Sequence, residues 1–238
     1  MTQKPQHALL GDQLADKVRR RRRLGEITSP LPPHTRVLTV SNQKGGVGKT
    51  TTTVNLAAAL ARRGANVLVI DLDPQGNAST ALGVPHDPTI TSIYEVLLGE
   101  ASLAETVRPT TDHENLFCVP STINLAGAEI ELVSVVAREQ RLRTALAQFL
   151  VETERDIHYV FIDCPPSLGL LTVNAFVAAQ EVLIPIQAEY YALEGLSQLL
   201  GNIELIEQHL NPALHVSTIL LTMYDSRTNL AQEVAQEV

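Results

Sequence analysis

Tryptophan is absent from this chain of 238 residues, and aromatic side chains make up only 4% of it. Proteins that bind single-stranded nucleic acids by stacking bases on aromatic rings need such side chains, so this class is disfavoured. The two cysteines, Cys118 and Cys164, are too few for a disulfide framework or a cysteine–histidine zinc cluster. We therefore expect a protein of a reducing cytoplasm in which both cysteines are small buried hydrophobic residues.

Long apolar runs are also missing. No uninterrupted stretch of about 18 apolar residues occurs, and the N-terminus lacks the short apolar core of a secretory signal. Membrane spanning and export are therefore disfavoured. The hydrophobic content of 45% is nevertheless that of an ordinary globular domain, so disorder is not expected as the main state of the chain.

Charge is distributed unevenly along the chain. Residues 1–36 contain eight Lys or Arg and three Asp or Glu, a net charge of +5, whereas the other 202 residues carry −13. Three prolines between positions 30 and 33 precede the first strand-like run. We predict a basic, flexible extension over residues 1–35 and a folded domain over residues 36–238. The run Arg19–Arg23 fits either a solvated tail or an arm that contacts nucleic acid or acidic lipid through charge.

Short apolar runs alternate with longer helical patterns from Val37 onward. Runs of almost continuous Val, Ile and Leu indicate strands that are buried on both faces. This pattern predicts a single α/β domain, a doubly wound and mostly parallel sheet with helices on both faces. The predicted strands are Val37–Val40, Val67–Leu72, Leu116–Val119, Val160–Ile162, Val182–Ile186 and Val216–Leu221. The predicted helices are Thr50–Arg63, Val135–Thr153, Leu168–Ala179, Leu193–Leu210 and Asn229–Val238.

A glycine-rich loop follows the first predicted strand and precedes the first predicted helix. It reads Lys44-Gly45-Gly46-Val47-Gly48-Lys49-Thr50-Thr51. Glycines allow the backbone N–H groups to turn toward a phosphate, Lys49 can reach the β- and γ-phosphates, and the Thr50 hydroxyl can hold Mg²⁺. The strict pattern G-x-x-x-x-G-K-[ST] is not met, because Gln43 stands at its first glycine and Lys44 adds a second lysine. The loop still predicts a phosphate-loop NTPase.

Two carboxylate clusters follow predicted strands. Asp163 ends the fourth apolar run and is the expected Walker-B-type residue, supporting Mg²⁺ directly or through water. The second run ends in Asp71-Leu72-Asp73, which places both carboxylates near the γ-phosphate edge. Because they are two residues apart, they point the same way if the strand continues that far. The alternative is that they cap a helix or form the turn before Pro74.

Several segments together resemble the ParA-type partition ATPases, the deviant Walker A family. The segments are Asn42–Thr53, Val69–Asn77, Pro120–Leu132, Ile162–Gly169, Glu189–Leu199 and Leu221–Leu230. The resemblance implies an ATP-driven homodimer in which Lys44 crosses to the partner's nucleotide, while Lys49 and Thr50 serve the nucleotide of their own subunit. It also implies that Asp73 orients the attacking water and that Asp163 supports Mg²⁺.

The same resemblance implies partners and a location. It predicts ATP-dependent, nonspecific binding of duplex DNA, stimulation by a ParB-type centromere-binding protein, and a cytoplasmic, nucleoid-associated protein that segregates a chromosome or plasmid. Arg227 is the expected DNA contact, and an ion pair with Asp225 is the alternative for its side chain. Because family members usually continue for several dozen residues beyond the position of Val238, we expect the family's C-terminal end to be missing.

Other functions share the phosphate loop. A MinD-like cell-division ATPase that cycles on membranes needs a C-terminal amphipathic anchor, and Ala231–Val234 offers no basic apolar helix. A nitrogenase-type iron protein needs paired cysteines for its cluster. An ATP-switched DNA-binding regulator with negligible turnover has the same site residues, so only a comparison of dimer lifetime with turnover distinguishes it.

Overall fold

The structure is a computed structural model that describes residues 15–16, 18–19, 30–189 and 192–237. The chain divides into two units between Pro32 and Pro33, and the second unit contains the sheet. Most of the predicted extension over residues 1–35, including all but one residue of its arginine run, lies outside the described residues. Its basic, flexible character stays a prediction.

Seven strands of the described chain form one sheet in the order β3-β4-β2-β5-β1-β6-β7. They are β1 Arg36–Val40, β2 Val67–Asp71, β3 Arg108–Pro109, β4 Leu116–Val119, β5 Tyr159–Asp163, β6 Glu181–Gln187 and β7 His215–Thr222. Every neighbouring pair is parallel except β3 and β4. The predicted doubly wound α/β fold is thereby confirmed.

Helices cover both faces of the sheet, as buried parallel strands require. They are α1 Lys49–Ala61, α2 Asn77–Ala81, α3 Ile93–Leu98, α4 Leu103–Thr106, α5 Leu125–Glu131, α6 Arg141–Glu152, α7 Leu170–Ala178, α8 Ala192–His209 and α9 Asn229–Glu237. Two apolar clusters form the core. The smaller one includes Ala57 and Ala61 of α1, and the larger one includes residues of α6 and α7.

The six predicted strands are confirmed, with ends that differ by at most one residue. The predicted helix Val135–Thr153 is wrong at its start, because α6 begins only at Arg141. Ala137 has a left-handed backbone with φ 53°, and a 3-10 turn follows over Arg138–Gln140, so the chain cannot be α-helical through this stretch.

Four short helices, α2 to α5, were not predicted. Two of them carry a signal that the sequence does contain, the capping box. Ser92 with Glu95 caps α3, and Ser102 with Glu105 caps α4. Helices of four to six residues are too short to show a helical repeat of apolar residues, so a cap is the better indicator of them.

Both cysteines are fully buried, as predicted, Cys118 within β4 and Cys164 directly after β5. Cys164 lies 3.0 Å from the Thr39 hydroxyl, and burial raises the pKa of its thiol to about 12. Burial also raises the pKa of Cys118 well above its usual value. Neither thiol forms appreciable thiolate at neutral pH, so both act as core residues.

Strand register brings the carboxyl ends of the central strands together. Asp163 at the end of β5 is aligned with Val40 at the end of β1 on one side and with Asp71 at the end of β2 on the other. The loop that leaves Val40 therefore begins beside two carboxylates. Ligands of open α/β sheets bind at this edge.

Candidate nucleotide-binding site

Asn42 fixes the start of the glycine-rich loop. Its Oδ1 accepts a hydrogen bond of 2.9 Å from the Lys44 backbone N–H, and its Nδ2 donates one of 2.8 Å to the carbonyl of Pro185 in β6. Gly46 and Gly48 have left-handed backbones with φ 75° and 93°, which a residue with a Cβ adopts at a cost. Gly48 precedes α1, and no described side chain caps the first N–H groups of that helix. These N–H groups are available to an anion.

Lys49 is the buried cation of this loop. Its side chain is folded back so that Nζ donates a 3.0 Å hydrogen bond to the carbonyl of Lys44, and the residue is only 7% exposed. Burial lowers the pKa of Lys49, while the negative charge of Asp163 opposes this change. An ammonium has three donors, so it can bind phosphate oxygens while it keeps this contact. A negatively charged ligand above the loop would compensate the desolvated charge.

Thr50 and Asp163 provide adjacent oxygen atoms at the end of β5. Thr50 Oγ1 donates a 2.7 Å hydrogen bond to Asp163 Oδ2, and Thr53 Oγ1 donates one of 3.1 Å to the other carboxylate oxygen. Burial raises the pKa of Asp163 to about 7, although these two hydrogen bonds oppose the shift. A hydroxyl beside a carboxylate is a set of hard oxygen donors, the kind that Mg²⁺ prefers, so these residues fit that ion.

Asp71 and Asp73 differ in their surroundings. Asp71 is fully buried and accepts hydrogen bonds from both the N–H and the hydroxyl of Ser79, at 2.8 and 2.7 Å. Burial raises the pKa of Asp71 to about 6. Because β2 ends at Asp71, the condition for both side chains to share one strand face is not met. Asp71 thus connects β2 to α2 inside the protein.

Asp73 lies in the turn that follows β2. Its Oδ1 accepts a 3.0 Å hydrogen bond from the Gln75 N–H, and its carbonyl accepts one of 2.9 Å from the Gly76 N–H. The turn interpretation of this residue is thereby confirmed. Turn formation uses one carboxylate oxygen, so a role of Asp73 in orienting water stays a prediction.

Lys44 forms an ion pair within its own subunit, between its Nζ and the Glu189 carboxylate. Glu189 lies just beyond β6, and the two side chains are 46% and 32% exposed. The crossing of Lys44 to a partner subunit is a property of a dimer and stays a prediction. The involvement of Glu189 was not foreseen, although it belongs to one of the segments that carry the family resemblance.

Thr222 contacts the glycine-rich loop from a distant segment, Leu221–Leu230, which carries part of the family resemblance. At the end of β7, its Oγ1 lies 2.8 Å from the Val47 carbonyl and 3.1 Å from the Ile186 carbonyl, and donates to them. Thr222 Cγ2 would lie 3.6 Å from a Cβ placed on Gly48. The hydroxyl therefore links the glycine-rich loop to β6 and β7 and positions the loop from outside the motif.

Known proteins resemble this chain over most of its length. The AAA domain family model matches residues 35–216. The sporulation initiation inhibitor protein Soj of Bacillus subtilis is 51% identical over 203 residues, which span 85% of this chain and 78% of Soj. The chromosome partitioning protein ParA of Myxococcus xanthus is 54% identical over 203 residues, 85% of this chain and 70% of that protein.

The chain belongs to the ParA-type partition ATPase family. Among solved structures, the one named cobyrinic acid a,c-diamide synthase from Mycobacterium smegmatis, with a bound ATP analog and magnesium, superimposes with a TM-score of 0.79. It is 44% identical, and the match covers 86% of this chain and 81% of that one. The fold is therefore shared with a protein that holds both an ATP analog and magnesium.

In this member of the ParA-type family, Arg227 lies in the turn between β7 and α9. Its side chain is 87% exposed and pairs with Asp225, with 2.7 Å between the guanidinium and the carboxylate. The alternative contact expected for Arg227 is thus present. Both partners are at the surface, where such pairs exchange readily with other ligands, so the DNA contact stays a prediction.

Two further observations concern parts of this ParA-type chain outside the nucleotide site. Within residues 30–189 and 192–237, no helix is long and apolar enough to cross a membrane. A cavity of about 400 Å³ lies between α4 and α6, where Glu105 and Glu152 are among the lining residues. It shares no lining residue with the glycine-rich loop, so it is not part of the nucleotide site.

Proposed function

We propose that this chain is a DNA-partitioning ATPase that binds ATP with Mg²⁺, hydrolyses it, and uses the nucleotide to control a homodimer. The single observation that carries the proposal is the loop, in which buried Lys49 lies beside the adjoining oxygens of Thr50 and Asp163. The chain is an ATPase with ATP and Mg²⁺ as its nucleotide and metal. In the cell, we propose, the dimer binds nucleoid DNA nonspecifically in the cytoplasm and a ParB-type protein stimulates hydrolysis, so that a chromosome or plasmid is segregated.

Each site residue has a separate part in this proposal. The N–H groups of the loop and Lys49 bind the phosphates, while Thr50 and Asp163 hold the metal ion. Mg²⁺ bound there would neutralise charge on the phosphate oxygens. Asp73 lies at the same edge of the sheet and orients the attacking water. Lys44 of the partner subunit completes the site, as arginine fingers do in other phosphate-loop enzymes, so that full activity depends on the dimer.

Three other functions compete with this proposal. The Mycobacterium smegmatis structure is named for a different reaction, at 44% identity. The relative at 51% identity is named for inhibition of sporulation initiation, and the one at 54% identity is named for chromosome partitioning. The latter name favours the partitioning function. An ATP-switched DNA-binding regulator remains a distinct functional class, because its dimer would form without appreciable turnover. Neither relative is named for a MinD-like function.

The proposal is tested by measuring ATP hydrolysis in four mixtures: the chain alone, with nonspecific duplex DNA, with the ParB-type protein of the same genome, and with both. We expect slow hydrolysis alone and a rate with both additions that exceeds the sum of the separate effects. An additive response would contradict stimulation on DNA. An ATP-dependent dimer with no turnover in any mixture would identify the regulator instead.

Arg227→Glu is expected to abolish ATP-dependent DNA binding while ATP-dependent dimerisation persists. The body of the protein carries −13, so its contact with phosphate depends on a few exposed cations, and reversal of one adds repulsion. Each phosphate contact contributes about 0.9 to the slope of log K against log salt, independent of DNA sequence. The measurement is DNA affinity as a function of salt, by fluorescence anisotropy with a nonhydrolysable ATP analogue.

The matched control is Arg143→Glu, the same charge reversal at an exposed position of α6. It should retain ATP-dependent DNA binding. Deletion of residues 1–30 should weaken binding only at low salt. If Arg227→Glu keeps the wild-type salt slope while the deletion abolishes binding, the basic extension is the DNA-binding element and the assignment of Arg227 is wrong.

A further inference from the structure

We propose that Glu189 is a positioning residue that holds the Lys44 side chain within its own subunit and thereby opposes formation of the ATP dimer. The proposal rests on the function proposed above, in which Lys44 crosses to the partner's nucleotide. In the monomer, the Glu189 carboxylate competes with the partner's nucleotide for the Lys44 side chain. Each subunit would exchange its internal ion pair for a contact with the partner's phosphates.

Both the N–H and the carbonyl of Lys44 form hydrogen bonds within the loop, whereas its Nζ forms an ion pair. The Lys44 N–H donates to Asn42 Oδ1, and the Lys44 carbonyl accepts from Lys49 Nζ. The side chain extends from this fixed backbone to the Glu189 carboxylate and remains 46% exposed. Exchange of partner therefore requires rotation of the Lys44 side chain alone, and the phosphate loop keeps its shape.

Glu189 is placed by the strands that also support the loop. The Ala188 N–H donates a 3.3 Å hydrogen bond to the carbonyl of Thr222, the residue whose hydroxyl contacts Val47 in the loop. The Glu189 N–H donates one of 2.8 Å to the Gln187 carbonyl at the end of β6. These bonds hold the backbone of Glu189 beside the loop, and from there its carboxylate pairs with Lys44.

The ion pair between Lys44 and Glu189 is strong enough to change the dimer dissociation constant and weak enough for Lys44 to exchange it for another partner. Half-exposed ion pairs change an equilibrium by up to about fivefold. A symmetric dimer breaks two of them, one in each subunit, so the effect on the dimer dissociation constant is up to about 25-fold. A γ-phosphate carries more negative charge than one carboxylate and is the stronger partner of the ammonium once ATP is bound.

The experiment compares Glu189→Gln with wild type in the full chain. With a nonhydrolysable ATP analogue, sedimentation velocity is expected to show a dimer dissociation constant lowered about 3- to 25-fold, while ADP affinity of the monomer stays unchanged. Glu207→Gln, at an exposed position of α8, makes the same charge change away from Lys44 and should leave dimerisation as in wild type. Glu189→Asp keeps a carboxylate and should restore part of the wild-type value.

A second measurement does not depend on the dimer. An amine-reactive acylating reagent modifies lysine side chains at a rate that mass spectrometry can map to Lys44 in the nucleotide-free monomer. The rate of Lys44 acylation should rise severalfold in Glu189→Gln and remain unchanged in Glu207→Gln. Unchanged Lys44 acylation in Glu189→Gln would overturn the proposal. A weaker dimer in Glu189→Gln would also overturn it, because it would show that Glu189 aligns Lys44 for the partner subunit. If wild type does not dimerise with the analogue, the proposed function fails, and the acylation result still decides whether Glu189 holds Lys44.

Discussion

Lys49→Ala is expected to weaken ATP binding by at least about 100-fold. The change removes the cation that lies beside the loop carbonyl of Lys44, together with the hydrogen bonds to phosphate oxygens that we propose for it. Hydrogen bonds to charged groups contribute about 1.5–3 kcal/mol each, so the loss of two of them corresponds to a factor of roughly 100 or more. Isothermal titration with the ATP analogue and Mg²⁺ measures the affinity directly.

Thermal unfolding separates this loss from a folding defect. A ligand that binds only the folded state stabilises it in proportion to the logarithm of its concentration over its dissociation constant. Wild type should therefore gain stability with ATP and Mg²⁺, and Lys49→Ala should lose that gain while it unfolds normally without nucleotide. Removal of a buried charge relieves a desolvation cost, which offsets part of the lost packing of the side chain.

Lys44→Ala is the matched control for the loop, since it removes the other lysine of the same motif. Nucleotide affinity of the monomer should be retained, because Lys44 Nζ points to Glu189 in its own subunit. The ATP dimer should be lost. If Lys49→Ala binds ATP with an affinity within tenfold of wild type, the buried lysine is not the main phosphate ligand. If Lys44→Ala dimerises normally, Lys44 does not cross to the partner subunit.

Most of the sheet was predictable because parallel strands that are buried on both faces must be apolar along their whole length. The runs Val67–Leu72 and Leu116–Val119 show this pattern and match β2 and β4 closely. The phosphate loop was predictable for a related reason, since its glycines, lysine and threonine are local in sequence. Contacts between distant residues leave no such pattern. The hydrogen bond from Thr222 to Val47 joins positions 175 residues apart, and it emerged only from the structure.

The residue pattern alone did not separate the roles of Asp71, which ends β2, and Asp73, and only the family resemblance assigned the water role to Asp73. Both fit a metal or water role, and both fit a structural one. Both are buried, and their partners separate them: Asp71 accepts hydrogen bonds from Ser79 of α2, while Asp73 accepts one from the Gln75 N–H within the turn. The end of a strand decides which side chain turns inward, and strand ends are set by tertiary contacts that a single sequence does not reveal.

Asp73→Ala is expected to reduce ATP turnover at least about 100-fold while ATP and DNA binding persist, so that a stable ATP dimer accumulates. Groups that position or accept a proton from the attacking nucleophile contribute about 10²–10⁴-fold to the rate. The proposed phosphate ligand Lys49 and the proposed metal ligand Thr50 are untouched, so ground-state binding should survive. Steady-state hydrolysis with DNA and the ParB-type protein, together with sedimentation in ATP, measures both effects.

Asp73→Asn distinguishes catalysis from support of the turn. Asparagine keeps an oxygen that accepts from the Gln75 N–H, as Asp73 Oδ1 does at 3.0 Å, but it lacks the negative charge. A loss of turnover equal to that of Asp73→Ala would show that the carboxylate itself acts on the water. Asp87→Ala, a change at an exposed aspartate, should leave hydrolysis unchanged. Near-normal turnover in Asp73→Asn would restrict Asp73 to the turn, and the orientation of water would then fall to Asp71 or to backbone groups of the loop.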